Sequence, residues 1–227
     1  MRLALYAPGL GYYAAGAHKL GAGGDFVTAP EISPVFGRCV ATQCAEVLAQ
    51  LGGGDILEIG AGTGALAEQV LLALDGLEAL PARYRILEIS PDLRERQRVR
   101  LSRLPESLFQ RVEWLDAPPQ DQGQGIILAN EVIDALPVAR LRGTQEGVEV
   151  LGVSVDAGEL IEAARPASPA EMARLAEMAV TLDVGQEIEW CPYLRQWLES
   201  VTSFLSDRKS TRLNSSHIPL SRMPSSA

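Results

Sequence analysis

Three glycines, Gly60, Gly62 and Gly64, follow a short apolar run and stand just before a helix-like segment. Because they lack side chains, their backbone N–H groups and the positive end of the following helix can approach a polar ligand closely. This pattern indicates a nucleotide-type binding loop. Gly60, Gly62 and Ala65 also satisfy the G-x-G-x-x-A variant of the dinucleotide fingerprint, so the spacing alone does not name the ligand. A tight strand-to-helix turn without a ligand uses glycine in the same way.

Acidic residues near the loop discriminate among these ligands. Glu58 lies near the carboxyl end of the apolar run, where a carboxylate costs free energy unless it is paired or solvated. A ligand with a sulfonium and an ammonium group compensates that charge, whereas a dinucleotide pyrophosphate is repelled. Glu88 ends the next predicted strand, where it can accept hydrogen bonds from both ribose hydroxyls or simply be solvated. Asp116, after the third strand, can reach an adenine amino group or be an ordinary loop aspartate.

Polar residues also follow the fourth predicted strand, at the edge where ligands bind open α/β sheets. They are Asn130, Glu131 and Asp134. If this segment is helical, Glu131 and Asp134 share one face, and the two carboxylates can hold a guanidinium by charge-assisted hydrogen bonds. Helix capping with a surface acid is the alternative. The segment 24–33, with Asp25 and Thr28, is predicted to be either a ligand-cradling lid or a structured turn.

Alternating strands and helices must position these residues. The predicted helices cover 34–51, about 65–74, a segment from Ser90-Pro91, about 168–179 and 193–205, and the predicted strands cover 55–59, 84–89, 112–115 and 125–130. Ser33-Pro34 supplies a cap and a first-turn proline, and Gly52-Gly53-Gly54 ends the same helix. The alternation predicts an α/β fold with a doubly wound, mostly parallel sheet, and alternating residues between 138 and 164 predict an antiparallel insertion.

The chain divides into four predicted parts. They are an N-terminal loop and helix region at 1–54, a ligand-binding α/β core at 55–137, an insertion with helices of the same domain at 138–207, and a tail at 208–227. The tail is Ser-rich, contains no acidic residue and shows no helical or strand period. We therefore interpret it as non-native, adapter-like sequence.

Composition excludes several classes of function. The 227 residues are 47% hydrophobic and 22% charged, as in soluble globular proteins, and the formal charge of −9 argues against a nucleic-acid-binding surface. No apolar run approaches the roughly 18 residues of a membrane span. Three cysteines without a Cys-x-x-Cys pair predict free thiols and no metal. Since the N-terminus carries no secretory signal, a cytoplasmic location is expected.

Three motifs form a set. They are Gly11-Tyr12-Tyr13 with the segment from Gly24 to Ser33 and Phe36-Gly37, the glycine loop with Glu58, and the segment from Asn130 to Pro137. Together they resemble the MidA family of class I S-adenosylmethionine-dependent methyltransferases, whose members include a protein-arginine methyltransferase. The first and third motifs are specific to that family, and the resemblance covers residues from about 5 to 205.

The resemblance implies S-adenosylmethionine as cofactor. The residues expected to bind it are Asp25, Thr28, Glu58, Gly60, Gly62, Gly64, Glu88 and Asp116, and the residues expected at the catalytic mouth of the cleft are Asn130, Glu131 and Asp134. Relative to the family pattern, the chain lacks a helix before Leu5 and stops after Leu205, before a strand expected to carry an Asp-Tyr-Gly motif. An exposed sheet edge is therefore expected.

The expected reaction is in-line transfer of the sulfonium methyl to an arginine nitrogen of a protein partner. Positioning and electrostatics supply most of the catalysis, and Glu131 and Asp134 hold and polarise the guanidinium. One alternative is a nicotinamide-dependent oxidoreductase, which shares the loop but does not need Glu58. Another is an assembly protein that binds the cofactor without turnover.

Overall fold

The computed structural model describes residues 1–7, 9–13 and 27–205. The helices are α1 (Arg2–Tyr6), α2 (Ala29–Ile32), α3 (Pro34–Leu51), α4 (Ala65–Gly76), α5 (Pro91–Leu101), α6 (Glu106–Phe109), α7 (Pro169–Glu177) and α8 (Leu194–Thr202). The strands are β1 (Asp55–Ile59), β2 (Tyr84–Leu87), β3 (Val112–Leu115), β4 (Gly125–Leu128), β5 (Ala139–Thr144), β6 (Gly147–Asp156), β7 (Glu159–Pro166) and β8 (Glu187–Trp190). The helix predicted over 34–51 and the strands predicted at 55–59 and 112–115 are confirmed at both ends.

Local capping explains where the helices around the site begin and end. The Ser33 hydroxyl accepts a hydrogen bond from the Val35 N–H at the start of α3, and the Ser90 hydroxyl accepts one from the Leu93 N–H at the start of α5. Gly52 ends α3 with a φ of 72°, a left-handed conformation that glycine adopts without steric cost.

The first sheet is parallel, with strand order β3-β2-β1-β4. Glu58 of β1 lies opposite Ile86 of β2 and Leu128 of β4. Because the strands are parallel and in this register, the segments that follow β1, β2 and β4 emerge at one edge of the sheet. The predicted parallel α/β sheet is confirmed, and this edge gathers the loop, Glu88 and the segment after Leu128.

Helices cover both faces of this sheet. Ile56, Tyr84 and Ile86 pack against α3 and α4. Leu57 and Ile59 pack against Val201 at the end of α8 and against Phe204, which follows that helix. All five residues of β1 are buried. A fully buried aliphatic side chain stabilises the fold by roughly 1.5–3 kcal/mol, so β1 is the centre of a doubly wound core.

The second sheet is antiparallel, with order β7-β6-β5-β8, and it confirms the predicted insertion. Leu141 and Trp190 on one face pack against Leu175 of α7. The other face carries an exposed network of arginines and glutamates. Strand β8 was not predicted, because four residues with two glutamates show too little apolar character for a strand assignment from sequence.

Several element ends differ from the predictions. β2 ends at Leu87 and β4 at Leu128, so Glu88 and Asn130 lie beyond their strands. The helix predicted to reach residue 179 ends at Glu177, and Ala179 has a φ of 52° that a helix cannot continue. Beside β4, the Gly123 N–H donates to the Phe204 carbonyl, and an isolated parallel bridge joins Gly123 to Leu205.

Candidate functional site

The glycine loop connects β1 to α4 in a left-handed path. Gly60, Gly62 and Gly64 have φ values of 64°, 55° and 83°, a region that residues with a Cβ rarely adopt. The Gly60 N–H donates to the Leu87 carbonyl at 2.9 Å, which fixes the start of the loop against β2. The requirement for glycine is therefore conformational at all three positions, and the loop leads directly into the N-terminus of α4.

Glu58 lies directly below this loop in β1 and is buried. Its carboxylate accepts a hydrogen bond from the Tyr84 hydroxyl at 2.7 Å. Burial raises the pKa of Glu58 to about 7, the hydrogen bond from Tyr84 opposes that rise, and the charge of Glu88 adds to it. The sequence analysis expected a cationic ligand to compensate this carboxylate, and within the protein the Tyr84 hydroxyl is its hydrogen-bond donor. The structure places the carboxylate on the face of the sheet that packs against α3.

Glu88 follows β2 and is 6% exposed. Its carboxylate accepts one hydrogen bond from the Ser90 N–H at 2.9 Å and another from the Gln97 side-chain amide at 3.2 Å. Burial raises the pKa of Glu88, while these hydrogen bonds and the nearby Arg94 charge oppose the rise. The local turn into α5 therefore holds the carboxylate at the carboxyl edge of the sheet.

Gln97 is a site residue that sequence reasoning missed. Its side chain is fully buried, and its amide nitrogen donates to the Gly62 carbonyl at 2.9 Å as well as to Glu88. Its oxygen accepts from the Trp114 indole N–H at 3.0 Å. Since indole can only donate, this contact fixes the amide orientation. The available signal was a glutamine at helical spacing between Leu93 and Leu101 on the apolar side of α5.

Asp116 follows β3 and is exposed. Its carboxylate forms an ion pair with Arg94 at 2.5 Å, and Arg94 also donates to the Leu115 carbonyl at 3.0 Å. Both residues lie at the edge of the sheet that holds Glu88. The structure therefore shows Asp116 as the partner of an arginine on α5, and contact with an adenine stays a prediction.

The N-terminal motif contacts the glycine loop through Glu31. The Glu31 carboxylate accepts a hydrogen bond from the Thr63 hydroxyl, and Arg100 lies 3.8 Å from it. The Gln69 amide of α4 donates to the Pro30 carbonyl at 2.7 Å. Thr28 occupies the N-cap position of the short helix α2 without a side-chain capping hydrogen bond and is half-buried, whereas Asp25 lies outside the described residues. From Thr28 onward this segment is a structured turn that contacts the loop.

The segment from Asn130 to Pro137 also contacts the loop. A Cβ placed on Gly60 would lie 3.2 Å from the Val132 side chain. The helical arrangement considered for Glu131 and Asp134 is wrong, because Glu131 has a φ of 52° and only Ile133–Ala135 forms a single turn of 3-10 helix. Left-handed backbone at Glu131 breaks the helical spacing. Asn130 is half-buried, and both carboxylates are exposed at the mouth.

Other residue classes contribute little to this site in the described part of the chain. Cys39, Cys44 and Cys191 are free, and burial raises the pKa of Cys44 to about 12. Among the residues that the structure describes, none of the groups of His, Cys, Asp and Glu has the arrangement of a metal site. The helices in those same ranges are all too short or too polar to cross a membrane.

Comparisons with known proteins agree with this geometry. A family model for S-adenosyl-L-methionine-dependent methyltransferases matches residues 39–217. The mitochondrial protein arginine methyltransferase NDUFAF7 of Danio rerio is 30% identical over 184 residues, covering 69% of this chain and 42% of that protein. Its Drosophila melanogaster homolog is 32% identical over 166 residues, covering 63% of this chain and 37% of that protein.

Solved structures extend the comparison to the fold. A COG1565 superfamily member from Burkholderia thailandensis, bound to S-adenosyl-homocysteine, is 40% identical with a TM-score of 0.81. The match covers 90% of this chain and 54% of that one. A native structure of such a protein from the same organism is 38% identical with a TM-score of 0.77. This chain thus spans about half the length of its relatives, and it belongs to the family of S-adenosyl-L-methionine-dependent methyltransferases.

Proposed function

We propose that this chain is the cofactor-binding part of an enzyme that transfers a methyl group from S-adenosylmethionine to an arginine nitrogen of a protein. The observation that carries the proposal is the meeting of three segments at one sheet edge. The glycine loop contacts Val132, and buried carboxylates lie below and beside the loop. Support comes from the relatives named protein arginine methyltransferases and from the bacterial relative bound to S-adenosyl-homocysteine.

The residues present fit a cationic cofactor. Gly62 and its neighbours direct backbone N–H groups and the start of α4 toward a polar ligand. A positive sulfonium or ammonium group near Glu58 and Glu88 favours their ionised forms and offsets the cost of burying them. When bound, S-adenosylmethionine supplies an electrophilic methyl carbon.

The remaining work falls to residues at the mouth. Asn130, Glu131 and Asp134 can orient a guanidinium so that one nitrogen points along the sulfur–carbon bond. The nitrogen–carbon bond forms as the sulfur–carbon bond breaks, leaving S-adenosyl-homocysteine. The methylated guanidinium releases one proton to water or to a mouth carboxylate. The chain thus contributes position and negative charge, and no covalent enzyme intermediate is required.

The partner follows from the same proposal, since a protein arginine requires a protein substrate. The net charge of −9 and apolar runs shorter than a membrane span support a protein substrate rather than nucleic acid or a membrane. A cytoplasmic location stays a prediction from the sequence, and the curated relatives are named mitochondrial.

Cofactor binding is the first test. We expect isothermal titration of S-adenosylmethionine into the chain to show binding, and we expect Gly62→Arg to weaken it by at least about 100-fold, because a side chain both strains the backbone and fills the loop. Gly158→Arg is the matched control, since Gly158 has a φ of 87° in the turn of the second sheet with open space around it. Equal loss in both variants would assign the effect to unfolding.

Methyl transfer is the second test. Tritiated S-adenosylmethionine is incubated with the chain and two matched peptide libraries, one centred on arginine and one on lysine. Label on arginine peptides alone supports the proposed substrate, and label on lysine peptides contradicts it. Cofactor binding without transfer to either library favours a non-catalytic assembly protein, and tighter binding of NADH than of S-adenosylmethionine favours an oxidoreductase.

A further inference from the structure

The N-terminal segment folds back on itself at Gly11. The Gly11 N–H donates to the Ala7 carbonyl at 2.7 Å, and the Tyr12 and Tyr13 N–H groups donate to carbonyls in α1 at 2.7 and 2.8 Å. A Cβ on Gly11 would lie 2.4 Å from the Ala7 nitrogen, closer than any side chain allows. Glycine at this position therefore lets the chain return along α1 and brings Tyr12 and Tyr13 beside Tyr6.

These three residues form a compact aromatic group, which we call the tyrosine cluster. The rings of Tyr6 and Tyr13 stack with centroids 5.5 Å apart and an interplanar angle of 25°. Tyr12 meets Tyr13 edge to face, with centroids 5.1 Å apart. All three side chains are half-buried, so part of the aromatic surface reaches solvent.

The tyrosine cluster contacts the mouth of the candidate site. The Tyr6 hydroxyl donates to the Ala135 carbonyl at 2.5 Å, next to Asp134. Burial raises the pKa of Tyr6 to about 12, with additions from Tyr13 and from the charges of Asp134 and Glu88. Burial and Asp134 also raise the pKa of Tyr13. Both phenols therefore stay neutral within the field of the Asp134 carboxylate.

We propose that the tyrosine cluster and Asp134 together form the receptor for the guanidinium of the substrate, which makes Tyr13 and Asp134 specificity-determining residues. A guanidinium is planar and weakly hydrated, so it stacks on aromatic faces while its N–H groups pair with a carboxylate. A compact, strongly hydrated ammonium uses such a flat surface less well. A neutral urea group of the same shape gains neither attraction. This inference rests on the proposed arginine substrate and names the surface that selects it.

Two roles are open to the tyrosine cluster, packing of α1 and binding of the substrate. The charge of Asp134 acts on Tyr6 and Tyr13, and aromatic rings beside a carboxylate add attraction for a flat cation. If the cluster served only to hold α1, removing the Tyr13 ring from a folded chain would have no effect on binding of a flat cation. That difference separates the binding role from a purely structural one.

The test uses N-acetyl-arginine N-methylamide as probe and the chain labelled with ¹³C in its tyrosine rings. The chain has five tyrosines, so Tyr84 and Tyr193 serve as internal references away from the cluster. We expect the probe to shift the ring resonances of Tyr6 and Tyr13 and to leave those references unchanged. The matching citrulline compound, which is uncharged, is expected to produce no shift, and the lysine compound a weaker one.

Variants then separate charge from ring surface. Tyr13→Leu and Asp134→Asn are each expected to lower the affinity for the arginine probe by about three- to tenfold. Tyr13→Phe keeps the ring, and its affinity is expected to stay within about twofold of the wild-type value. Tyr193→Leu, at an exposed position before α8, is the matched control. Equal binding of the arginine and citrulline probes, or unchanged affinity in Asp134→Asn, would overturn the inference.

Titration of S-adenosylmethionine into the same variants keeps the two proposals distinct. Cofactor affinity is expected to remain within about twofold in Tyr13→Leu and Asp134→Asn, because neither change touches the glycine loop. If the chain binds the cofactor but not the arginine probe, the proposed guanidinium receptor is contradicted and the proposed cofactor site is not. A chain that binds the arginine probe but not the cofactor contradicts the proposed methyl transfer.

Discussion

The two sheets of this molecule use carboxylates in opposite ways. Glu58 in the parallel sheet and Glu88 at its carboxyl edge are buried, accept hydrogen bonds from uncharged donors, and have raised pKa values. In the antiparallel sheet, Glu187 is exposed, and its hydrogen bonds from Arg142 and Arg140 lower its pKa. The ionised carboxylates of the second sheet thus form ion pairs with arginines of the protein. Glu58 and Glu88 accept hydrogen bonds from uncharged donors, so a cationic group of a ligand would stabilise their ionised forms.

The contact geometry explains the contrast. Glu187 and Glu162 lie 2.7–3.1 Å from Arg140 and Arg142, so each carboxylate has a cationic partner on the same face of the sheet. Water screens such exposed pairs, so each contributes little to stability. Burial in the parallel sheet removes that screening, so the cost of an ionised carboxylate there is large. The difference teaches that the first sheet carries the proposed binding site and the second a surface network.

Replacing Glu58 should give the largest effect. The pKa of Glu58 is about 7 in the folded chain and 4.5 ordinarily. Between pH 4.5 and pH 7, the folded chain therefore keeps a proton on Glu58 that the unfolded chain has released. Stability of the unliganded protein should therefore fall as pH rises through this window, by roughly 3 kcal/mol. Glu58→Gln removes this contribution of Glu58 to the pH dependence of stability and weakens S-adenosylmethionine binding at pH 8. Urea unfolding at pH 5 and pH 8 measures the change in stability.

Glu187→Gln is the control for this comparison. Since its carboxylate is exposed and paired, the variant is expected to keep the wild-type fall in stability between pH 5 and pH 8 and the wild-type affinity for cofactor. A wild-type chain whose unfolding free energy is flat over this range would remove the distinction between the sheets.

Removing the Gln97 amide should have the next largest effect. Gln97→Leu preserves much of the volume but leaves the half-buried Gly62 carbonyl, Glu88 and Trp114 each without one hydrogen bond, so the loop and Glu88 lose the side chain that positions them. We expect cofactor affinity to fall about tenfold or more, with a changed Trp114 fluorescence. Calorimetry and emission spectra on the folded variant measure both.

The same substitution at Gln110 is the matched control, because it removes a glutamine amide away from the glycine loop. Gln110 is exposed and bonds Glu106 one helical turn away, so Gln110→Leu is expected to leave affinity and fluorescence unchanged. Wild-type affinity in a folded Gln97→Leu chain would show that the amide does not position the loop.

The smallest effect is expected in the arginine network. Arg142→Ala removes hydrogen bonds to Glu187 and Glu162 but should lower the free energy of unfolding only slightly, because the pairs are exposed. Cofactor affinity should not change. Unfolding measured in low and high salt checks both points, since salt should erase most of the difference. A large, salt-independent loss of stability would mean that this network has a role beyond the surface.

Short-range chemistry in the sequence determined much of the fold. Ser33, Ser90 and Gly52 act through bonds and dihedral angles within a few residues, so the ends of α3 and the start of α5 were predictable. The alternation of apolar runs and helical periods likewise indicated the parallel sheet, and the glycine loop was recognisable because its conformation depends on the glycines themselves.

Only the tertiary structure decided which residues meet around the loop. Gln97, Glu31 and Tyr6 reach Gly62, Thr63 and Ala135 across separations that no local pattern encodes. The left-handed backbone at Glu131, which broke the expected helical pairing with Asp134, lies where the segment turns after β4 to pack Val132 against Gly60. Local preference sets where an element begins and ends, whereas contacts between elements depend on how the whole core packs.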